Sequence, residues 1–230
     1  LFQTLSSSFQ QIGRLCQEFR NRSESAEVTL AATTAFASLW LMPRIGGFWQ
    51  QYPDINLNHA ISDNPLDSGF LNADIRIRYG DGSWRGEHST RLFDDRIYPV
   101  CGPEFAQRHG LAVPEELLAH PLLQLDSVDP AWTGWELPLA QWHCDIRCAS
   151  FRRFNNYVVA LQAAEENQGI LLGWYSQVGA LVEAGKLVRI GSMEIAAPGS
   201  FYLAWAENRP LATSALRLRD WLIEMGNKES

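Results

Sequence analysis

The amino-acid sequence predicts an α/β fold in two lobes, and three observations carry that expectation. Short apolar or alternating runs are followed by longer helical stretches along most of the chain, the grammar of a mainly parallel sheet with helices on its faces. The 230 residues suffice for one large domain or two small ones. Apolar residues at 46% and charged residues at 20% match an ordinary folded protein, not a disordered or fibrous one.

The opening stretch sets Phe2, Leu5, Phe9, Ile12, Cys16 and Phe19 at alternating steps of three and four, the a/d stripe of a coiled coil. A plain amphipathic helix packed on its own domain is the alternative. The stripe is already running at the first residue with no capping residue ahead of it, so the helix is expected to continue upstream. The polar run "NRSESAE" then serves as a short linker.

"EVTLAAT" predicts a first strand ending at Thr33 and Thr34, and "AFASLWLMPRIGGFWQQYP" predicts a helix despite Pro43. "DINLNHAIS" alternates with period two and is broken by "DNP" before a short helix through Phe70 and Leu71. "ADIRIRYGDG" is a third strand, and "RLFDDRIYPVCGPEF" a fourth that runs through Pro99 to Cys101. Further on, "PLLQL" and "CDIRCAS" predict strands, "NYVVALQAAEENQG" a helix capped by Gly169, and "ILLGW" the next strand. "SFYLAWAEN" is a last strand, and "TSALRLRDWLIEMG" an amphipathic helix carrying Leu216, Trp221, Leu222 and Met225.

Composition limits the function. A net charge of −7 argues against this segment gripping a phosphate backbone, which needs clustered Lys and Arg. No stretch is long and apolar enough for a membrane helix and no export leader is visible, so a cytoplasmic location with no membrane contact is expected. Cys144 and Cys148, read as residues of one strand, would stand about 13 Å apart, too far for a disulfide or a shared metal; buried or incidental thiols are expected.

Enzyme signatures are missing: no nucleophile elbow, no H-E-x-x-H, no phosphate loop, and a lone G-x-G at Gly80 to Gly82 without its third glycine. His59, His88, His109, His120 and His143 form no ligand-spaced set, so no metal and no cofactor are expected. Cys101 lies beside a turn but has no identifiable base. In open α/β sheets ligands sit off the carboxyl ends of strands, against helix N-termini. That rule points to Thr33 and Thr34, to Ser62, Asp63 and Asn64, and to Arg78. Thr33 and Thr34 either cap the helix or leave a donor pair for a carboxylate or sulfate. Nine tryptophans are many; Trp84, Trp132, Trp135, Trp142 and Trp174 fall near strand ends or in loops, where they either pack or enclose an aromatic or cationic ligand. Trp40, Trp49 and Trp221 lie on helix faces.

Taken in order, "LMPRIGGFWQQYPDI", "ADIRIRYGDGSWRG", "YPVCGPEF", "FNNYVVALQAAEENQGILLG" and "RLRDWLIEMG" resemble the effector-binding domain of LysR-type transcriptional regulators, in the branch of the glycine-cleavage and β-lactamase regulators. The resemblance covers nearly the whole chain. It implies a periplasmic-binding-protein-like type II fold: two Rossmann-like lobes joined by crossing strands near Tyr98 to Cys101 and Ile195 to Phe201, with the C-terminal helix returning to the first lobe. It implies a dimerising linker helix over 1–22, a first lobe over 27–100 and 198–230, and a second over 101–197. A winged helix-turn-helix ahead of the chain would contact DNA, and the assembly would be a homodimer or homotetramer. The effector positions of that family fall on Thr33, Thr34, Ser38, Asp63, Arg78, Cys101, Asn155, Trp174 and Phe201. Arg76 stands where the branch usually has a small apolar residue and shares a strand face with Arg78, which suggests a more cationic pocket. An anionic or zwitterionic, amino-acid-like effector is therefore expected, and a quaternary ammonium compound held by tryptophans is the second choice. A transport-type solute-binding protein of the same fold is the alternative function.

Overall fold

β1 (Glu27–Ala32) is buried at four of its six residues, as befits a strand covered on both faces. It pairs in parallel with β2 (Asn56–Ile61) on one side and β3 (Ile75–Gly80) on the other. The computed structural model describes residues 27–228; the helix expected over 1–22, with Cys16, lies outside the described residues.

Two long strands join the halves of the molecule. β4 (Glu87–Cys101) and β9 (Ile195–Ala206) run antiparallel from Glu87 opposite Ala206 to Ile97 opposite Ile195. β9 also lies beside β3, with Arg76 opposite Ala204 and Gly80 opposite Ser200. The last residues of β4 instead border β7 (Ile170–Trp174), with Ile97 opposite Trp174. β5 (Pro121–Leu125) continues the sheet beside β7, and β6 (Ser150–Phe154) closes it, both in parallel pairing. The short β8 (Val188–Arg189) pairs with the end of β4. The order β2-β1-β3-β9-β4-β7-β5-β6 thus holds a parallel block at each end and the crossing pair between them. Register shifts between Arg91 and Phe93 and between Asp94 and Arg96 bend the pair where it passes from one block to the other.

The first helix starts as a π-helical turn, Phe36–Leu41, and continues as α1 (Met42–Gln51). Met42 N donates to the Ala37 carbonyl, five residues back. This wider turn precedes Pro43, whose ring and missing N–H disturb a regular helix. α2 (Ser68–Asn72) precedes β3; α3 (Pro103–His109), α4 (Pro114–Leu117) and α5 (Glu136–Gln141) decorate the second lobe. α6 (Tyr157–Glu165) and α7 (Tyr175–Glu183) flank β7 in sequence. α8 (Thr213–Gly226) returns to the first lobe: Ser214 Oγ donates to the Glu27 carbonyl at 3.3 Å, and Trp221 meets Phe48 edge-on at 5.6 Å. On α8, Trp221 and Leu222 are buried, whereas Leu216 is exposed.

Three local expectations are corrected. Residues 144–148 do not form a strand: Ile146–Cys148 is a 3₁₀ turn, and β6 begins only at Ser150. The cause is Asp145, whose carboxylate accepts the Arg147 N–H at 3.0 Å and offers the backbone a turn in place of a ladder. The spacing argument for Cys144 and Cys148 falls with the strand, yet both thiols are free. Gly169 does not cap α6. Asn167 takes the left-handed position with φ 60°, while Gly169 is needed because a Cβ there would lie 2.6 Å from the Pro121 carbonyl oxygen.

The core is continuous and aromatic across the middle. Phe36, Trp40, Phe93 and Phe201 pack at 4.9–6.2 Å, and Phe201 passes the contact on to Tyr79 at 5.3 Å. At the far end of the first lobe, Trp221 fastens α8 to α1. Trp221→Ala is expected to lower unfolding stability by about 3–5 kcal/mol, measured by urea denaturation; a loss below about 1 kcal/mol would show that α8 is held by other contacts.

Candidate ligand-binding cleft

The cleft is assembled from strand ends of both lobes. At the end of β1 the chain turns, and Thr33 caps the π-helical turn: its Oγ1 accepts Phe36 N–H at 3.3 Å and its carbonyl accepts Ala37 N–H at 2.9 Å. Thr34 N–H donates to Asp63 Oδ1 at 2.8 Å, just past the end of β2. From the second lobe, Asn156 donates its Nδ2 to Asp63 Oδ2 at 2.9 Å, while its Oδ1 caps α6 through Val159 N–H at 3.1 Å. One carboxylate therefore touches helix starts of both lobes. Of the donor pair expected at Thr33 and Thr34 for an outside anion, the Thr34 N–H is already taken by the protein's own Asp63, while Thr33 Oγ1 accepts from the helix.

Beside this bridge lies a cavity of about 160 Å³, lined by Thr33, Ala35, Asp63, Leu125, Tyr157 and Gln177 among others, with Ser127, Val128, Trp132 and Asn155 around it. It is smaller than the roughly 300–1,000 Å³ of a drug-sized site, and suits a molecule the size of an amino acid. Thr33, Asp63 and Trp132 also line an adjoining recess with Ile77, Arg78 and Phe201. Trp132 stacks on Tyr79 at 5.1 Å and meets Trp174 edge-on at 5.0 Å, so the recess is walled by rings.

The sequence candidates separate on this geometry. Thr33, Asp63 and Asn155 line the cavity, with Thr34 held behind Asp63. Arg78 and Phe201 line the recess. Trp174 lies deeper, behind Trp132 and Tyr157 in a third small hollow. Ser38 is exposed on the π-helical turn and lines none of these spaces. Cys101 is fully buried at the end of β4, where burial pushes its thiol up to about 11, too high to supply a nucleophile near neutral pH.

Arg76 does not make the cleft more cationic. Its side chain is 3% exposed, donates to the Leu71 and Ala73 carbonyls at 3.0 and 3.1 Å, and pairs with Glu87 at 3.2 Å. Glu87 also holds Arg78 at 3.0 Å, and the Arg78 guanidinium stacks on Trp84 at 4.4 Å. A buried guanidinium survives by being paired and hydrogen-bonded in this way.

Sequence reasoning missed Gln177, Tyr157 and Asn156. Gln177 is 3% exposed, and its Nε2 is buried without a hydrogen-bond partner among the described residues. It sits in the first turn of α7, which follows β7 directly. The strand-end rule that selected Thr33 would have selected this stretch too. Asn156 is the N-cap of α6, a role legible from "NNY" once the helix start is fixed.

Asp95, on the bent part of β4, fixes the same turn of α7: Ser176 Oγ donates to Oδ2 at 2.6 Å and Ser176 N–H to Oδ1 at 3.2 Å. Burial pushes this carboxyl up to about 6, with the Ser176 and Arg96 contacts opposing it. A carboxyl whose folded value is raised contributes stability that is fully present below its ordinary value near 4 and is lost as pH rises through 6. Relative to Asp95→Asn, the wild-type chain is expected to lose about 2–3 kcal/mol between pH 4 and pH 7, read from urea unfolding at several pH values. A pH-independent difference between the two would contradict this.

Comparison with known proteins follows the same lines. Residues 21–227 match the LysR substrate binding domain. The glycine cleavage system transcriptional activator of Escherichia coli is 26% identical over 223 residues, which cover 96% of this chain and 72% of that protein. The HTH-type transcriptional activator AmpR of Citrobacter koseri is 29% identical, over 98% of this chain and 76% of its own length. The solved effector domain of the transcriptional regulator AmpR of Pseudomonas aeruginosa superposes with a TM-score of 0.75 at 27% identity, over 88% of this chain and 96% of that one. The fold is the periplasmic-binding-protein-like type II arrangement of these effector domains. The relatives are transcriptional regulators and not enzymes, and they do not favour the transport-type alternative.

Proposed function

The chain belongs to the LysR substrate binding domain family, and from that membership we propose that it is the effector-sensing part of a bacterial transcription regulator, binding an amino-acid-sized metabolite between its lobes. The observation that carries the reading is the cavity beside Asp63, whose carboxylate is hydrogen-bonded to the backbone of one lobe and to Asn156 of the other. A ligand seated there touches both lobes. It shifts the molecule only so far as it binds one lobe arrangement more tightly than another.

In this reading Thr33, Asp63, Asn155 and Gln177 face the ligand, Arg78, Trp174 and Phe201 shape the space around it, and Ser38 and Cys101 do not contact it. The lobes divide as 27–100 with 198–230 and 101–197. The chains assemble as a dimer or tetramer. DNA is contacted by a winged helix-turn-helix ahead of this segment, in keeping with a net charge of −7 that suits no phosphate backbone. The regulator works in the cytoplasm; among the described residues no helix is long and apolar enough to cross a membrane. A purely anionic effector meets Asp63 and no cationic side chain at the cavity wall, so of the two forms suggested by the sequence the zwitterionic one is retained.

Thermal unfolding of the chain against amino acids and choline-type compounds tests the proposal. At about 100 times its dissociation constant a ligand raises Tm by roughly 5–10 °C. Ser127→Trp, which fills the exposed rim of the cavity, is expected to abolish that rise while leaving the unliganded Tm within about 2 °C. Stabilisation equal in wild type and Ser127→Trp would place the ligand elsewhere and sink the reading.

A further inference from the structure

The cavity wall contains one charged side chain, Asp63. Its two oxygens each accept one hydrogen bond, from Thr34 N–H and from Asn156 Nδ2. Both donors are neutral, so among the described residues the carboxylate is met by the partial positive ends of two helices and by no full positive charge on this wall. A carboxylate offers about four acceptor positions, which leaves room for further donors. The adjoining recess adds Asp129 and Arg78, and Arg78 is held by Glu87, whose one carboxylate it shares with the buried Arg76. A ligand carboxylate in the cavity itself would meet like charge, with no cationic side chain on that wall among the described residues. On the same wall, Gln177 holds a buried amide Nε2 with no partner among the described residues. An unmet buried donor is costly, and a ligand acceptor removes the cost. The rings of Trp132 and Tyr157 supply the apolar remainder and a face suited to an organic cation.

We infer that the cavity selects a molecule carrying an ammonium group, set against the Asp63 carboxylate, and a neutral hydrogen-bond acceptor, set against Gln177 Nε2, with no carboxylate required. The inference rests on the reading of this cleft as the effector site. It goes beyond that reading in stating that the amine, and not the acid, of an amino-acid-like molecule is the recognised end. A buried water on Gln177 is the competing account of its unmet donor, and would leave ligand choice untouched by that residue.

Isothermal titration of the chain with three matched series tests it: amino-acid amides, the free amino acids, and the corresponding acids lacking the amine, each with small, branched and aromatic side chains. The amides are expected to bind at least as tightly as the amino acids, and the des-amino acids not at all. Gln177→Leu, which leaves the Asp63 bridge intact, is expected to weaken the best amide about tenfold. Wild type should prefer that amide over its uncharged N-acetyl form by at least about tenfold, and Asp63→Asn should bring the two within about threefold. That ratio is insensitive to a general loosening of the lobes. Any ligand without an ammonium group whose binding is blocked by Ser127→Trp overturns the inference and leaves the effector reading standing. Unchanged affinity in Gln177→Leu overturns the assignment of that residue in favour of the water. If no compound from these series or the earlier panel binds in a manner blocked by Ser127→Trp, both readings fall together.

Discussion

The antiparallel pairing of β4 with β9 is the constraint from which the rest of the molecule follows. Each lobe alone is a small parallel block, β2-β1-β3 on one side and β7-β5-β6 on the other. Neither block supplies the cleft by itself. The crossing pair sets the two blocks edge to edge in a single sheet, so that the carboxyl ends of β1, β2, β5 and β7 open toward a common space. The irregular register between Arg91 and Arg96 bends the pair at the point where it changes neighbours, and Asp95 in that stretch is bonded to the helix start that carries Gln177. Backbone curvature and site geometry are therefore one feature described at two scales.

Charge in the cleft is organised by internal pairing. Asp63 satisfies the helix start at Thr34, which in many open α/β sheets is left for a ligand anion, and Glu87 absorbs both Arg76 and Arg78. The consequence is a cavity whose walls are aromatic and amide-bearing, with Asp63 as its one carboxylate among the described residues. A count of arginines along β3 predicts the opposite sign, because the burial of Arg76 and the pairing of both arginines with Glu87 depend on contacts between segments that sequence spacing does not reveal.

How much of this was legible in the sequence varies with the kind of signal. The strand and helix order was legible because β1, β3, β5 and β7 are apolar runs bounded by turn residues, and Thr33 and Asp63 were legible because they sit where such runs end. The turn at 146–148 was not, since the apolar residues of "CDIRCAS" imitate a strand and only the capping bond of Asp145 decides otherwise. Gln177 was hidden for a related reason. α7 follows β7 without a capping residue, and a glutamine in a first helical turn looks like solvent-facing surface until its burial is known. As effector positions Cys101 and Ser38 entered through the family resemblance, and family position does not guarantee that a side chain points into the space a relative uses.

The hydrogen bond from Gly199 N–H to Tyr79 Oη at 2.7 Å ties an aromatic ring of the recess to the backbone of β9 at its bend. There Gly199 approaches Gly80 so closely that a Cβ on Gly199 would lie 2.6 Å from the Gly80 carbonyl oxygen. The two strands touch through bare main chain, with no side chain to act as a cushion. Such a contact sets the spacing of β3 and β9 by van der Waals radii alone, so any side chain at position 199 would force the paired strands apart. Tyr79, bonded to Gly199 and stacked on Trp132, thus carries the spacing of two backbones into the recess, where the position of its ring is set by main chain and not by side-chain packing alone.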